Sequence, residues 1–440
     1  MSLKLKNRST KSARAIILIW LAWVFIVIGF QALATARISV QYPDRAQDWT
    51  ERFTGEGYQE GHVFLLEPFM NDQVAWDSEY YLAIAVGGYD DPRSPHLTSR
   101  GVSMSAEENL AAQSANDLNS SISLSYAFFP FYPFMIRVFA FPLQVFGMNP
   151  IATAVLAGVV VSALGTLLGM LALYDLTRDS LGEEGALRAV FYLVIFPTAF
   201  FLIQVYTEGL FIGLSFMCLA MLKRENWVAA AIFAVCATLT RAVGVTLVIP
   251  MAIMWLRHSE WMDLDLEWRQ IFLQGIPLRP LVRFLLVISP LIAFLVWKFS
   301  YLGIAFNYVE ANYFERGFLS LGFTFSAWST ALRSIFTGSN PQHTAYYITE
   351  FIGFAIGIAA CIATLKTHPE LAWFSLAVVL ISWGSGPAQG IHRYVLGAPA
   401  VFVALAKWGG NPVFDRAWTI LSILLLGLNA TLFAFNMWVA

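Results

Sequence analysis

The chain has 440 residues, with 27 Lys and Arg against 29 Asp and Glu, and a formal net charge of -2. Hydrophobic residues make up 58% of it and charged residues only 13%, whereas soluble domains carry about 25% charged residues. This composition excludes an ordinary soluble domain and indicates a polytopic membrane protein. No basic stripe or nucleic-acid-binding motif is present, so we expect no nucleic-acid partner. The three cysteines lie in apolar runs and predict neither a disulfide nor a metal site.

The N-terminal segment is basic and leads into an apolar run from Ile16 to Ala32. Ala32-Leu33-Ala34 has the A-x-A pattern of a cleaved signal peptide, but the apolar core of a signal peptide is only about 7–15 residues long. We therefore favour an uncleaved first span with a cytoplasmic N-terminus. Because a span needs about 20 apolar residues, the sequence predicts an all-α polytopic bundle of about 11 spans, near 15–36, 151–174, 188–204, 208–222, 227–240, 242–256, 281–304, 346–365, 370–386, 393–407 and 416–437.

The positive charges support this topology, because cytoplasmic loops collect Lys and Arg. The inside loops become 175–187, 223–226, 257–280, 366–369 and 408–415, and they and their flanks carry a Lys or Arg at nearly every crossing. The fit requires that the apolar segment 126–147, YAFFPFYPFMIRVFAFPLQVFG, does not cross. Its prolines at 130, 133 and 142 interrupt a helix. We predict an interfacial or re-entrant element that packs on the bundle.

The predicted chain is a single transmembrane domain, 1–440, with two long outer segments. The first, 37–150, bears interfacial helices and a polar section, 90–121, that is typical of a mobile loop. The second is 305–345. We recognise no internal repeat.

Ionisable residues at membrane depth are costly and are candidates for function. Those expected on the outer side are few. Asp77 lies in VAWDSEYYLAIAVGGY (74–89), in the first outer segment, and the others lie at outer hinges between spans: Glu208, Arg241, His392 and Arg393.

Each of these residues also has a purely structural interpretation. Asp77 could cap the helix that follows it, with Gly87-Gly88 ending that helix. Glu208 could be an acid at a helix N-terminus, and the arginines could anchor helix ends. The positive-inside rule disfavours arginine as an outer anchor, which favours function for both arginines. We expect Glu79 to be solvated.

A carboxylate facing a cationic cluster at a membrane surface suits a lipid-phosphate substrate. Arginine binds phosphate through paired donors, and a carboxylate can take the proton of an attacking hydroxyl. Preorganised cations would stabilise the charge on the leaving phosphate.

The blocks that contain these residues resemble those of the PIG-V (GPI mannosyltransferase II) family. WDSEYYLAIAVGGY is similar to its WD-x-x-x-Y-x-x-I-A-x-x-G-Y block and FFPFYPFMIRV to F-F-P-L-Y-P-L-L-I-R. VYTEGLF is similar to Y-S-E-S-L-F, LTRAVG to T-R-P-T-G and HRY to P-R-Y. The blocks occur in the family's order over about residues 70–400. The chain departs from the pattern at Gly209, at Ala242-Val243 and at His392.

The resemblance implies a GT-C membrane glycosyltransferase with the catalytic Asp in its first outer loop. It implies transfer of a sugar, expected to be mannose, from a polyprenyl or dolichyl phosphate, with inversion, on the extracytoplasmic or lumenal face. Asp77 would be the general base, while Arg241 and Arg393 would bind the phosphate. The remaining substrate-binding candidates are Glu208, His392, Trp76, Tyr81 and Tyr394. A bacterial chain would lie in the plasma membrane and a eukaryotic one in the endoplasmic reticulum.

The expected partners are the donor, a glycolipid or glycan acceptor and membrane lipid. We expect no cofactor and assign no metal ligand, although the sequence does not decide the metal requirement. Two alternatives remain open. A transporter or flippase of lipid-linked substrates should have repeats and polar residues near the midplane, and a non-catalytic transferase subunit could lose Asp77 freely.

Overall fold

The computed structural model describes residues 2–55, 57–98, 101–103, 121–258, 278–317, 319–338 and 340–440. Nearly all regular structure in these ranges is helical, which confirms the prediction of an all-α protein. The α-helices, in chain order from α1 to α16, are Ser2–Arg37, Thr50–Phe53, Ser78–Val86, Phe131–Leu143, Pro150–Ile195, Glu208–Lys223, Trp227–Thr240, Val248–His258, Leu278–Lys298, Tyr301–Asn312, Leu321–Thr337, Pro341–Thr364, Pro369–Trp383, Ile391–Tyr394, Pro399–Trp408 and Pro412–Ala434.

Five helical stretches are long and apolar enough to cross a membrane, as a multi-pass membrane protein requires. They lie within α1, α5, α9, α12 and α16. Several of the other predicted spans correspond to apolar helices of 10–17 residues. The total of about eleven crossings, and the membrane boundaries of each segment, stay predictions.

The structure differs from the predicted spans at two places and from the predicted second outer segment at a third. Helix α5 continues through the predicted inside loop 175–187 and is broken only at Gly182, whose φ is 70°. The predicted span 281–304 ends at Lys298, where Ser300 caps the next helix, α10. The predicted second outer segment, 305–345, is therefore largely helical. Most of the predicted inside loop 257–280 lies outside the described residues.

Helices α5 and α6 pack with their backbones in close approach. A Cβ atom at Gly209 would lie 2.3 Å from the carbonyl oxygen of Ser162, and one at Gly213 would lie 2.3 Å from that of Gly165. Small residues at such spacing let membrane helices approach closely. This contact explains why glycine stands at 209, where the PIG-V pattern has serine, and it places the first turn of α6 against the middle of the bundle.

The first predicted outer segment folds onto the end of the bundle. Its proline-rich part forms α4, a helix of 13 residues that begins after Pro130 and includes Pro142 in its last turn. The helix ends one residue after Pro142, which removes the hydrogen bond to the carbonyl four residues earlier and so disfavours further extension. Three short strands, β1 (His96–Thr98), β2 (Gly101–Ser103) and β3 (Ile122–Ser123), form an antiparallel sheet in the order β2-β1-β3. Most of the predicted mobile section, 99–100 and 104–120, lies outside the described residues.

Helix α3, which directly follows Asp77, is held at both ends. Tyr206 donates its hydroxyl to the carbonyl of Ala75 (3.2 Å) and accepts the backbone N–H of Asp77 (3.1 Å). At the other end, Arg137 of α4 donates to the carbonyls of Ile84 (2.7 Å) and Ala85 (3.0 Å). The Ala85 carbonyl is one that a helix C-terminus leaves without an intrahelical donor, whereas the Ile84 carbonyl also accepts the N–H of Gly88 at 3.1 Å. The helix therefore has a defined position relative to the bundle.

Candidate active site

One cavity of about 890 Å³ brings together residues that are far apart in sequence. It lies where α3, α6, α10 and the loops after α7 and α13 meet. Seven of the eight side chains predicted as site residues line it, namely Trp76, Asp77, Tyr81, Glu208, Arg241, Arg393 and Tyr394. His392 does not line the cavity. Trp76 and Tyr394 are more than three hundred residues apart in the chain, so the fold, not the local sequence, brings these side chains together.

Asp77 precedes α3, as the helix-cap interpretation requires, but its side chain makes no capping hydrogen bond. The preceding residue, Trp76, has a φ of 52°, in the left-handed region that bulky side chains rarely adopt. Such strain costs about 1–3 kcal/mol and clusters at functional sites. The Trp76 indole donates to the carbonyl of Met437 at 3.2 Å, which holds this conformation. The Asp77 carboxylate is thus directed to the cavity and remains about a quarter exposed.

A buried acid holds two arginines beside Asp77. Glu208, the first residue of α6, is 3% exposed and forms an ion pair with Arg241. Its same oxygen lies 3.3 Å from Nε of Arg393. Arg393 also lies 3.6 Å from the Asp77 carboxylate. Burial raises the pKa of Asp77, and the charge of Arg393 offsets part of this rise. Arg393 therefore links the candidate base to the cationic cluster.

Three guanidinium groups surround the ring of Tyr394. Their central carbons lie 4.8 Å (Arg241), 5.0 Å (Arg393) and 5.9 Å (Arg316) from the ring centroid, within cation–π range. Arg316 was not among the predicted residues. Among the described residues no carboxylate lies within ion-pair distance of it, and its donors reach Ser385 and the carbonyl of Gln389 only at 3.4 Å. It is the cation in this cluster with the weakest existing partners.

A second acid that the sequence interpretation missed, Glu310 of α10, also lines the cavity. Burial raises its pKa to about 7, although Arg316 lowers it in part. Glu310 and Arg316 both lie in the predicted second outer segment. The only sequence signal for them was the presence of charges between aromatic residues in FNYVEANYFERGF (306–318), which is also typical of a solvated loop.

His392 serves the site indirectly, through Glu350 of α12. Glu350 is fully buried and accepts the backbone N–H groups of Gly390, Ile391 (2.8 Å) and His392 (3.3 Å). It also accepts the hydroxyl of Tyr346 at 2.5 Å, and its other contact is Nδ1 of His392 at 3.1 Å. These bonds fix the turn that presents the next residue, Arg393. An acid in the apolar helical pattern of 346–365 was the signal that could have revealed Glu350.

The expectation that Glu79 is solvated is wrong. Glu79 is 3% exposed, and both of its oxygens lie 2.9 Å from Nδ1 of His62. Burial raises the pKa of Glu79, and the hydrogen bond from His62 opposes the rise. The reason is tertiary: the segment that precedes α3 folds back over the first turn of the helix and covers an acid that would be exposed on an isolated helix.

No group of three or more His, Cys, Asp and Glu side chains that could hold a metal ion is found in the part of the chain that the structure describes. The charged groups of the cavity include the carboxylates of Asp77 and Glu208 beside the guanidiniums of Arg241 and Arg393, a set suited to an anionic ligand with a hydroxyl partner.

Comparison with known proteins gives one family. Residues 121–322 match the family model described as Mannosyltransferase (PIG-V), which confirms the family resemblance over that part of the chain. Glu208, Arg241 and Arg316 lie within the matched residues, whereas Asp77 precedes them and Arg393 follows them. No curated protein matches the chain in sequence.

Solved structures resemble the chain at low sequence identity. ArnT from Cupriavidus metallidurans bound to undecaprenyl phosphate has a TM-score of 0.45 and 13% identity, over 96% of this chain and 76% of that one. AglB from Archaeoglobus fulgidus, in complex with an inhibitory peptide and a dolichol-phosphate, has a TM-score of 0.40 and 13% identity, over 96% of this chain and 55% of that one. The Archaeoglobus fulgidus oligosaccharyltransferase complex with Zn and sulfate has a TM-score of 0.37 and 16% identity, over 69% of this chain. That alignment covers 44% of the oligosaccharyltransferase, so the chain spans about half the length of the archaeal oligosaccharyltransferase chains in these two structures.

Proposed function

We propose, for a chain whose residues 121–322 match the mannosyltransferase (PIG-V) family, that the cavity transfers a sugar from a polyprenyl phosphate to an acceptor hydroxyl. Mannose is the sugar that the family name favours. The observation that carries the proposal is the placement of Asp77, whose carboxylate makes no cap bond and lies 3.6 Å from Arg393 in the cavity that Arg241 and Arg316 also line.

The proposed reaction is a single displacement with inversion. The acceptor hydroxyl gives its proton to Asp77, and its oxygen forms a bond to the anomeric carbon. The bond from that carbon to the phosphate oxygen breaks, and the electron pair leaves with the polyprenyl phosphate. Asp77 is suited to this role because its carboxylate is partly exposed in the cavity and lies 3.6 Å from Arg393. General-base catalysis by a positioned group contributes about 10²- to 10⁴-fold in rate.

The arginines would bind the phosphate of the donor and stabilise the charge that develops on it. Arg241 and Arg393 share the carboxylate of Glu208, and Arg393 also lies 3.6 Å from that of Asp77, so the two arginines keep a net positive charge once Asp77 has taken the proton of the acceptor. Arg316 has only long hydrogen bonds to give up, which makes it the most available phosphate ligand. Arginine is favoured over lysine for such contacts because its planar fork donates two parallel hydrogen bonds. These donors are held in place before the reaction, which is the basis of electrostatic stabilisation.

The polyprenyl chain would enter from the apolar side of the cavity, which we call the apolar wing and define by Phe129, Phe294, Trp297 and Phe306. Phe129 stacks on Trp297 at 3.9 Å, and Phe306 contacts both rings. All four rings line the cavity. The outer surface of α9 beside the wing is apolar and exposed, at Val296 for example, as a surface in contact with lipid would be.

The site would face the extracytoplasmic or lumenal side. The distribution of Lys and Arg supports this orientation, because it predicts that the opposite end of the bundle faces the cytoplasm. The acceptor would be a glycolipid or glycan on that same side.

Reconstitution of the purified protein tests the proposal directly. The protein is placed in liposomes with polyprenyl-phosphate mannose, glucose or arabinose and a membrane extract as the acceptor source, and transfer of labelled sugar is measured. We expect transfer from one donor, and a product with the anomeric configuration opposite to that of the donor. Folded protein that transfers from none of the three would refute the proposal, and a product with retained configuration would refute the single displacement.

A further inference from the structure

A row of aromatic side chains leads away from the candidate base into the first predicted outer segment. It consists of Trp76, Trp49, Phe53 and Tyr58, and we call it the outer aromatic row. Successive ring centroids lie 5.9, 5.7 and 5.4 Å apart, and the rings meet edge to face. All four side chains line the same cavity as Asp77. The row begins at the residue directly before Asp77, so it is continuous with the reactive centre.

The chemistry of this row differs from that of the apolar wing. Trp49 is half-buried on the cavity wall, and the exposed residue Arg52 also lines the cavity. At the far end, the Tyr58 ring lies 4.5 Å from the ring of His62, which is paired with Glu79. Tyr313, from the segment after α10, adds a further phenol to this part of the lining. Aromatic faces with hydrogen-bonding groups at their edges suit a ligand that has an apolar face and a polar rim.

We infer that the outer aromatic row is the binding track for the acceptor, and that the acceptor presents a sugar. A pyranose ring offers C–H groups on its faces and hydroxyls at its edge, which match the aromatic faces and the polar groups of the row. Because a general base must lie within hydrogen-bond reach of the hydroxyl that it deprotonates, the acceptor has to lie on the surface adjoining Asp77, and the row begins at the residue directly before it. The polyprenyl chain lacks polar groups and finds its complement in the apolar wing.

The row is supported by a further ring, that of Trp438, which also lines the cavity. Trp438 packs against both Trp49 (4.7 Å) and Trp76 (5.1 Å), and its backbone N–H donates to Asp44 at 2.9 Å. Rigid aromatic side chains provide contact area at a low cost in conformational entropy. The identification of the bound sugar as the acceptor rests on the proposed function. Binding of a sugar by the row can be tested without any transfer reaction.

The test measures binding of methyl α-mannoside and of a methyl α-dimannoside to the full-length, detergent-solubilised protein by saturation-transfer NMR. The variants are Trp49→Ala, Phe53→Ala and the double variant, with Phe294→Ala in the apolar wing as the matched control. Loss of one aromatic contact weakens binding roughly threefold to tenfold. We expect sugar binding to weaken by that factor in each row variant and more in the double variant, while Phe294→Ala binds like the wild type. Trp49→Leu, which keeps an apolar side chain of similar reach, serves if the alanine variants fail to fold.

Two results would overturn the inference. One is sugar binding that is absent in the wild type or equal in the wild type and the folded double variant. The other is a double variant that binds the sugars normally but loses affinity for undecaprenyl phosphate, since the row would then hold the lipid. A wild type that binds sugar through the row but transfers none from any donor would refute the proposed transferase reaction and leave the sugar site standing. Transfer by the double variant with an unchanged acceptor KM would refute the acceptor site and leave the proposed transferase reaction standing.

Discussion

Glu350 offers a prediction about how the site is held, because it touches no part of the cavity yet supports Arg393. Both Ile391 and His392 direct their backbone N–H groups at one oxygen of Glu350, while Gly390 and the Tyr346 hydroxyl bind the other. In Glu350→Gln the side chain keeps one acceptor oxygen. The other becomes an NH₂ group, which cannot accept and which faces donors.

The size of the effect follows from these contacts. A hydrogen bond to a charged group contributes about 1.5–3 kcal/mol net, so loss of two such bonds costs about 3–6 kcal/mol at most. We expect the lower part of that range, because the turn at 390–394 can relax. A relaxation of about 1 Å at Arg393 would lower kcat by roughly 100-fold, since misplacement of a positioned group by that distance costs about this factor.

The assay compares kcat for transfer and the thermal unfolding midpoint of Glu350→Gln with those of Asp175→Asn. Asp175 is also buried and also paired, with Arg178 at 3.2 Å and Arg224 at 2.8 Å, but it does not line the cavity. Both variants should unfold at lower temperature, and only Glu350→Gln should lose kcat. Wild-type kcat in Glu350→Gln would refute the positioning role, and an equal loss in Asp175→Asn would mean that general destabilisation explains it.

Three further predictions follow from the cavity and its supports. Arg316→Ala should raise the donor KM by at least tenfold and leave the acceptor KM unchanged, because a bidentate phosphate contact is lost. Steady-state kinetics with varied donor concentration measure this, and an unchanged donor KM would contradict it. Burial raises the pKa of Glu310 from 4.5 to about 7, so the folded state keeps a proton that the unfolded chain releases, and stability should fall as pH rises across that interval. Glu310→Gln should flatten this dependence in a Tm series against pH, and a wild-type slope in the variant would remove Glu310 as its cause. Arg137→Met should reduce kcat about tenfold by freeing the carbonyls of Ile84 and Ala85, and normal hydrogen exchange in α3 of that variant would speak against it.

The residues that sequence reasoning found share one property: each lies in a local pattern that stands out against an apolar background. Asp77 begins a helix that ends in Gly87-Gly88, as predicted, and Arg241 violates the charge bias of outer loops. The structure adds what no local pattern contains. The cap interpretation of Asp77 loses its support because the side chain makes no cap bond, and the departure at Gly209 is explained by the approach of Ser162 from another helix.

The residues that were missed or misjudged depend on distant contacts. Glu350 serves a turn that is forty residues away in the chain, so its role was not visible from its own helix. Arg316 resembles any charged loop residue until Tyr394 is placed beneath it. Glu79 would be solvated on an isolated helix, and only the packing of His62 over it reverses that expectation. His392 was predicted to bind substrate, but its side chain faces Glu350 and does not line the cavity. Substrate binding by His392 therefore stays a prediction.

The central claim is that Asp77 is the base of a sugar transfer. The most direct measurement is the rate of transfer by Asp77→Asn in liposomes that contain the donor identified for the wild type. Asparagine keeps the size and a hydrogen-bonding oxygen but cannot accept a proton, so transfer should fall by about 10²- to 10⁴-fold. Because burial raises the pKa of Asp77, the wild-type rate should also fall as the pH is lowered, and the residual rate of the variant should lack that dependence. Transfer by folded Asp77→Asn at the wild-type rate would contradict the account.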